Sequence, residues 1–384
     1  MVLIVGGSLA GLHTAEAIRA QGYTGPITVL DADDEPHFDR PPMSKDYLHG
    51  TMPIERLRLR EQARLDALDV DWRLGQRATA LDVDRRVVTT GSDLEYDELV
   101  IATGVAPIVP AALATPRAHV LRTKADADRL RRGLRPDGSL VVIGGGFIGL
   151  EVAAAFRKAG AAVDVVEALD APLRRQLGPA IGGALQRLHE RNGVRFHLGR
   201  QAVAADARTV TLDDGTVLES ETLLVAVGSR PGTAWLSSAG LDLAAGLNAD
   251  GHLRVAPHVH AVGDVVRWSH PLAGRPVRVE HWTTAIEQAK YVAARITGRA
   301  DDAPFQALPY FWTDQYDRKI QAHGFPTEDA EIELLDGDLD SGKFAALHVV
   351  EGRARAVVGM NNPKQILAGR RRVVADLALQ EARP

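Results

Sequence analysis

The stretch LVVIGGGFIGLEVAAAFRKAG, residues 140–160, reads as a buried strand, a glycine-rich turn and the helix that the turn opens. Shifted back by 138 positions it lies over VLIVGGSLAGLHTAEAIRAQG, residues 2–22, with eight of 21 positions identical, and Gly6, Gly7 and Gly11 fall on Gly144, Gly145 and Gly149. In such a unit an apolar strand ends at a turn too tight for side chains. The next helix then presents its unpaired N–H groups and positive dipole end to a pyrophosphate. Gly144, Gly146 and Gly149 complete G-x-G-x-x-G in the second copy, whereas Ser8 takes the middle position in the first. A lone fingerprint is weak evidence of a nucleotide site. Here each copy is followed by a short apolar strand ending in an acid, ITVLD at Asp31 and VDVVE at Glu167. The spacing predicts an α/β chain with two Rossmann-like dinucleotide-binding folds.

Composition narrows the function classes. A chain of 384 residues with 45% apolar content can bury two or three cores, so about three domains are expected. The formal net charge of −5 gives no broad basic footprint for nucleic acid, and no run of 18 apolar residues exists to span a membrane. The opening MVLIVGG reads as a strand rather than a signal peptide, and a cytoplasmic protein is expected. The chain has no cysteine, which removes disulfides, thiolate metal sites and any passage of electrons through a protein thiol. His258 and His260 would share a face of a strand, but no third ligand is evident nearby, and no metal site is expected.

Taken in order, residues 32–50 form a loop dense in proline, charge and aromatic side chains. ELVIATG at 98–104 has a twin in LLVAVG at 223–228, each a last strand and a glycine, with Pro107 and Pro231 following. A charged amphipathic helix is expected over 122–134, with its Asp and Arg residues on a solvated face. Strands over 162–167, 194–198 and 209–218 accompany the second fold, the last folded at 213–215. HAVGDVV at 260–266, followed by a helix over 283–298, returns to the first fold. Beyond Phe305 the alternating KFAALHVVEG and RARAVVGM suggest an antiparallel sheet, closed by a helix bearing Arg370, Arg371 and Arg372. The expected domains are therefore 1–108 with 233–304, 109–232, and a C-terminal α+β domain over 305–384.

The motifs GGSLAG, DRPPMSK, IATG, GGGFIGLE, AVGDV, EHWTTA and FWTDQYDRKIQ, in this order, resemble those of the FAD-dependent NADH:ferredoxin reductases of cytochrome P450 and ring-hydroxylating dioxygenase systems. Apoptosis-inducing factor shares their glutathione reductase-like fold. The resemblance covers essentially the whole chain. It implies a flavoprotein oxidoreductase whose first fold holds FAD and whose second holds NADH. Its C-terminal sheet would lie by the flavin, where a 2Fe-2S ferredoxin docks for electron transfer. A monomer or weak dimer is expected. A rubredoxin reductase, or a redox-signalling flavoprotein like apoptosis-inducing factor, remains the alternative.

By that resemblance Gly6, Ser8, Leu9, Ala10, Gly11, Arg40, Lys45, Ala78, Ala102, Thr103, Gly104, Arg122, Gly263, Asp264, Trp282, Ala285 and Trp312 contact FAD. Either Asp31 or Asp33 could hold its adenosine ribose, because Ala32 stands where the family has its acid. Gly144, Gly146, Phe147, Ile148, Gly149, Glu151, Glu167 and Gly228 would contact NADH. Asp264 follows a strand and a glycine at the carboxyl edge of the first sheet, where a carboxylate can accept from ribityl hydroxyls. The helix after Trp282 would aim its N-terminal N–H groups at the flavin pyrimidine. Glu167 suits ribose hydroxyls and would repel a 2′-phosphate, although Arg174 and Arg175 lie close in sequence. In the family a lysine and a glutamate matching Lys45 and Glu151 form the catalytic ion pair beside flavin N5; His13 stands at the equivalent of Glu151 in the first copy. Trp282 and Trp312 could stack on the flavin or belong to the core. Residues 251–263 are several residues shorter than the family's connection.

Overall fold

The computed structural model describes residues 1–35, 37–270 and 273–381, so Pro36 of the 32–50 loop lies outside the described residues. The chain divides into two units, the first built from Met1–Asp39, Arg58–Ala106 and Arg230–Pro309. Its centre is the strand Val2–Val5, buried at every position, with parallel neighbours Ile27–Leu30 on one side and Glu98–Ile101 on the other. Continuous β-branched and leucine runs suit such a strand, because both faces of a parallel sheet are covered. The full sheet has six strands, in the order Arg254–Ala256, Val259–Ala261, Glu98–Ile101, Val2–Val5, Ile27–Leu30, Asp71–Arg73. The chain runs from Val2–Val5 outward to Ile27–Leu30 and Asp71–Arg73 and returns to the other side at Glu98–Ile101. The strand order therefore reverses at Val2–Val5, the switch point at whose carboxyl end such sheets bind ligands. Within residues 251–263, Arg254–Ala256 and Val259–Ala261 form an antiparallel pair at the sheet edge.

The second unit contains Arg40–Leu57, Pro107–Ser229 and Tyr310–Pro384. Its parallel sheet has the order Val194–Leu198, Ala162–Glu167, Ser139–Ile143, Thr222–Val225, Ala118–His119. The C-terminal segment folds as a five-stranded antiparallel sheet, in the order Tyr310–Gln315, Arg318–Gly324, Arg353–Met360, Lys343–Val350, Glu331–Asp338, followed by the helix Pro363–Glu381. One face of this sheet packs on the helices of the second fold. Phe311, Ile320, Phe344 and Val358 from the strands share one apolar cluster with Leu150, Leu177, Ile181 and Leu185 from the helices Phe147–Lys158 and Arg174–Arg191. Among the described residues no helix is long and apolar enough to cross a membrane.

The helix expected over 122–134 is shorter, Lys124–Arg131. Thr123 caps it, accepting from the Asp126 amide while the Asp126 carboxylate accepts from the Thr123 amide, 2.8 Å away. This capping box satisfies two helix-end donors at once. Asp126 is therefore buried rather than on a solvated face, and Arg122 lies ahead of the helix, its amide donating to Asp126 at 3.1 Å.

Candidate active site

Both glycine turns are built the same way. Gly6 and Gly144 have φ of +103° and +106°, and a Cβ on either would run into the Ala102 or Ala226 carbonyl. Gly11 and Gly149 let the first helical turn press on the carbonyls of Gly6 and Gly144. The acid that ends the second strand braces each turn. Asp31 accepts from the Gly7 amide at 2.8 Å and from the Asp33 amide at 3.0 Å, and Glu167 accepts from Gly145 at 2.7 Å and from Leu169 at 2.9 Å. A carboxylate has about four lone-pair sites, so each acid retains acceptor capacity for a ribose hydroxyl. Asp33 is exposed beside Asp31.

In the first unit, Leu9 and Ala10 open the helix Leu9–Ala20, and Ser8 is its N-cap without a side-chain cap bond. Ala102, Thr103 and Gly104 follow the strand Glu98–Ile101, with the Thr103 hydroxyl donating to the Gly232 carbonyl at 2.8 Å. Ala78 is buried. Gly263 and Asp264 sit in a 3-10 turn after Val259–Ala261, and a Cβ on Gly263 would stand 3.0 Å from that of Ala10 and 3.9 Å from that of Ala285. Three expected flavin contacts therefore converge. Gln288 on the helix Trp282–Ile296 accepts from the Gly263 amide at 2.7 Å and so orients the Asp264 turn. The Gln288 side-chain nitrogen and the Thr284 hydroxyl, one helical turn apart, are buried and have no hydrogen-bond partner among the described residues. Buried polar atoms are rarely left so, and a polar ligand would satisfy them. Trp282 donates to the Asp39 carboxylate at 2.9 Å.

In the second unit, Gly146 caps the helix Phe147–Lys158, and a Cβ there would meet no atom within 4 Å. Gly228, at φ +117°, has the same open space. A pyrophosphate that approaches the backbone needs such room. Ile148 is 46% exposed at this helix start, and Phe147 packs against Phe311 with ring centroids 4.9 Å apart. Arg174 forms a bidentate pair with Asp170, at 2.5 and 2.6 Å, and also reaches Glu328 at 3.3 Å. That guanidinium is already neutralised by protein carboxylates.

Lys45 and Glu151 meet in this unit. The loop that carries Lys45 folds as the 3-10 turn Pro41–Ser44 and the helix Asp46–His49, with the Arg40 carbonyl accepting the first turn bond from Met43. Tyr47 anchors it by donating to Asp128 at 2.6 Å; burial and that bond hold the phenol above its usual range. Lys45 Nζ then lies 2.7 Å from Glu151 Oε2, and also donates to the Pro41 carbonyl at 3.1 Å. Glu151, 8% exposed, accepts two further bonds, from the Ser44 hydroxyl at 2.5 Å and the Thr313 hydroxyl at 2.6 Å. In the first copy the equivalent His13 instead joins Glu16, which is clamped by Arg60 at 2.6 and 2.7 Å. Trp312 stacks on Tyr310 at 6.0 Å, with the Lys319 ammonium 6.0 Å from the indole.

Residues 1–289 match the family described as pyridine nucleotide-disulphide oxidoreductase, and residues 310–383 match the one described as reductase C-terminal. The chain belongs to the pyridine nucleotide-disulphide oxidoreductase family. It is 36% identical to the ferredoxin–NAD(+) reductase component of the anthranilate 1,2-dioxygenase system of Burkholderia cepacia, over 97% of this chain and 94% of that one. Putidaredoxin reductase of Pseudomonas putida is 35% identical over 100% of this chain and 95% of its own length. The crystal structure of the covalent putidaredoxin reductase–putidaredoxin complex superposes with a TM-score of 0.93 at 32% identity, covering 98% of this chain and 93% of that one. As a member of this oxidoreductase family the chain takes FAD and a nicotinamide dinucleotide, and the braced turns, the open space over Gly146 and the unsatisfied Thr284 and Gln288 suit those ligands.

Ser44, Thr313, Thr284 and Gln288 were not singled out by sequence reading of this oxidoreductase. Ser44 and Thr313 lie inside the motifs DRPPMSK and FWTDQYDRKIQ, and that adjacency was the available signal. His258 and His260 both reach Glu98, at 2.8 and 3.4 Å, with His258 at φ +62° just ahead of the strand Val259–Ala261. Among the described residues no group of three or more His, Asp or Glu could hold a metal ion.

Proposed function

We propose that the chain is an NADH:ferredoxin reductase that takes electrons from NADH and delivers them to a 2Fe-2S ferredoxin serving a P450 or Rieske oxygenase. The observation that carries this reading is the ion pair between the half-buried Lys45 of the 41–49 loop and the buried Glu151 of the helix opened by the second glycine fingerprint. Segments 1–108 and 233–304 form the FAD domain in this reading. Segment 109–232 forms the NADH domain, and 305–384 carries the partner-docking face.

FAD, when bound, supplies the conversion between a two-electron donor and a one-electron acceptor. The chain itself binds and orients. Gly6, Ser8, Leu9, Ala10 and Gly11 offer backbone N–H groups to the FAD pyrophosphate, while Asp31 or Asp33 holds the adenosine ribose and Asp264 the ribityl chain. Ala78, Ala102, Thr103, Gly104, Gly263, Ala285, Arg40, Arg122, Trp282 and Trp312 complete that site. Gly144, Gly146, Phe147, Ile148, Gly149 and Gly228 form the NADH cradle. Glu151 holds the nicotinamide carboxamide and Lys45 supplies positive charge where hydride passes. Lys45 and Glu151 would bind and orient and would not need to move a proton, because the dinucleotides, when bound, would supply the redox chemistry. With no cysteine in the chain, no protein disulfide relays the electrons. Exposed Lys364, Arg370, Arg371 and Arg372 on the last helix would steer an acidic ferredoxin, because complementary charge mainly raises the encounter rate. The protein acts in the cytoplasm as a monomer or weak dimer.

Glu167 and the neutralised Arg174 argue for NADH over NADPH. Anaerobic stopped-flow reduction of the FAD-loaded protein checks this. NADH should bleach the flavin absorbance at lower concentration and faster than NADPH; equal or better reduction by NADPH would remove Glu167 as the selector.

A further inference from the structure

The carboxylate of Glu151 ends a buried chain of polar side chains that the hydride chemistry does not itself require. An ionised carboxylate only accepts, so the Thr313 hydroxyl, 2.6 Å from Oε1, donates to it. Thr313 Oγ1 in turn accepts from the Gln315 amide nitrogen at 3.3 Å. The Gln315 oxygen lies 2.8 Å from His189 Nε2, which must therefore carry a hydrogen. His189 Nδ1 lies 3.1 Å from the Tyr316 hydroxyl. Burial drives the His189 pKa down to about 4 and the Tyr316 pKa up, so the ring stays neutral and accepts through Nδ1 from a protonated phenol.

Every hydrogen bond in this series runs in one direction, from Tyr316 through His189, Gln315 and Thr313 to Glu151. None can reverse without stranding a donor or acceptor in the interior, because Thr313, Gln315 and His189 are all fully buried. The geometry is built by one strand. Along Tyr310–Gln315 the inward positions are Phe311, Thr313 and Gln315; Phe311 packs on Phe147 at the start of the glycine-turn helix, which fixes the strand's register against Glu151. His189 comes from the far end of Arg174–Arg191. The two carboxylate oxygens of Glu151 are thus divided: Oε2 belongs to Lys45 and Ser44, and Oε1 to Thr313.

We infer that Thr313 is a positioning residue for Glu151, held in its donating orientation by Gln315 and His189, so that the C-terminal sheet sets the geometry of the acid that handles the nicotinamide. This inference rests on the proposed role of Glu151. The sheet then serves the NADH side of the reaction as well as any docking face.

Three variants of the full-length, FAD-loaded protein test it: Thr313→Val, which keeps the shape but removes the hydroxyl; Thr313→Ser, which restores it; and Glu151→Gln as reference. Loss of one hydrogen bond to a charged group predicts a limiting rate of flavin reduction by NADH that is on the order of tenfold lower in Thr313→Val. Thr313→Ser should return to near the wild-type rate, and reduction by dithionite, which needs no nicotinamide, should be unchanged in all three. A Thr313→Val protein that reduces at the wild-type rate while Glu151→Gln is slow overturns the inference and leaves the role of Glu151 standing. Wild-type rates in both overturn the two together. Should Thr313→Val lose its FAD, Gln315→Met, which removes the donor to Thr313, takes its place: a smaller slowing in the same direction supports the inference, and none overturns it.

Discussion

Gly146 and Gly149 stand three residues apart and do different jobs. A Cβ on Gly149 would strike the Gly144 carbonyl inside the protein, whereas one on Gly146 would enter open space. Gly149→Ala should therefore cost stability, seen as a lower thermal midpoint, by overpacking the strand–helix contact. Gly146→Ala should fold with an unchanged midpoint and yet bind NADH more weakly, because its methyl occupies the room a pyrophosphate needs. A Gly146→Ala protein with unaltered NADH titration would mean that the open space is not the binding cradle. Ser8 tolerates a side chain at the matching place in the first copy, so the two turns are not equivalent in how close a phosphate can come.

At the scale of elements, the strands of the C-terminal sheet and the helix Arg174–Arg191 withdraw histidines from water, His189 and His348 fully and His323 by half. Burial lowers His189 and His348 to about 4, and burial followed by the Arg370 charge lowers His323 to about 4. An unfolded histidine protonates near 6.5, so between about 4 and 6.5 the unfolded chain binds more protons than the folded one. Stability should hold above that window and fall as pH drops through it, by up to about 1.4 kcal/mol per pH unit for each fully buried ring. Urea unfolding at pH 7 and pH 5 checks the sign, and equal midpoints would contradict it. The two parallel folds were legible in sequence because strand, glycine and helix signals fall within 21 residues and occur twice. The inward polar residues of Tyr310–Gln315 were not, since alternation marks which residues share a face but not that Thr313 and Gln315 complete a hydrogen-bond series with a helix over 120 positions away.

Across the whole molecule, the order of motifs made the α/β class and the oxidoreductase family readable, because each glycine turn needs local residues alone. The site was readable only in part. Lys45 and Glu151 could be matched by motif, but Ser44 and Thr313 come to Glu151 from 107 and 162 positions away, and spacing along the chain carries no trace of that meeting. The C-terminal sheet was readable as alternating strands, but not that its strands share an apolar cluster with the helices of the second dinucleotide fold. Sequence patterns mark what is apolar, and they do not say which apolar faces meet. The central claim is electron delivery from NADH to an iron–sulfur protein, and single-turnover reoxidation tests it most directly. The FAD-loaded protein is reduced with one equivalent of NADH and mixed anaerobically with a 2Fe-2S ferredoxin or, separately, a rubredoxin. Prompt return of the flavin absorbance with ferredoxin, slowing as salt is raised, is the predicted result; a flavin that stays reduced with ferredoxin, or that reoxidises faster with rubredoxin, would contradict the account.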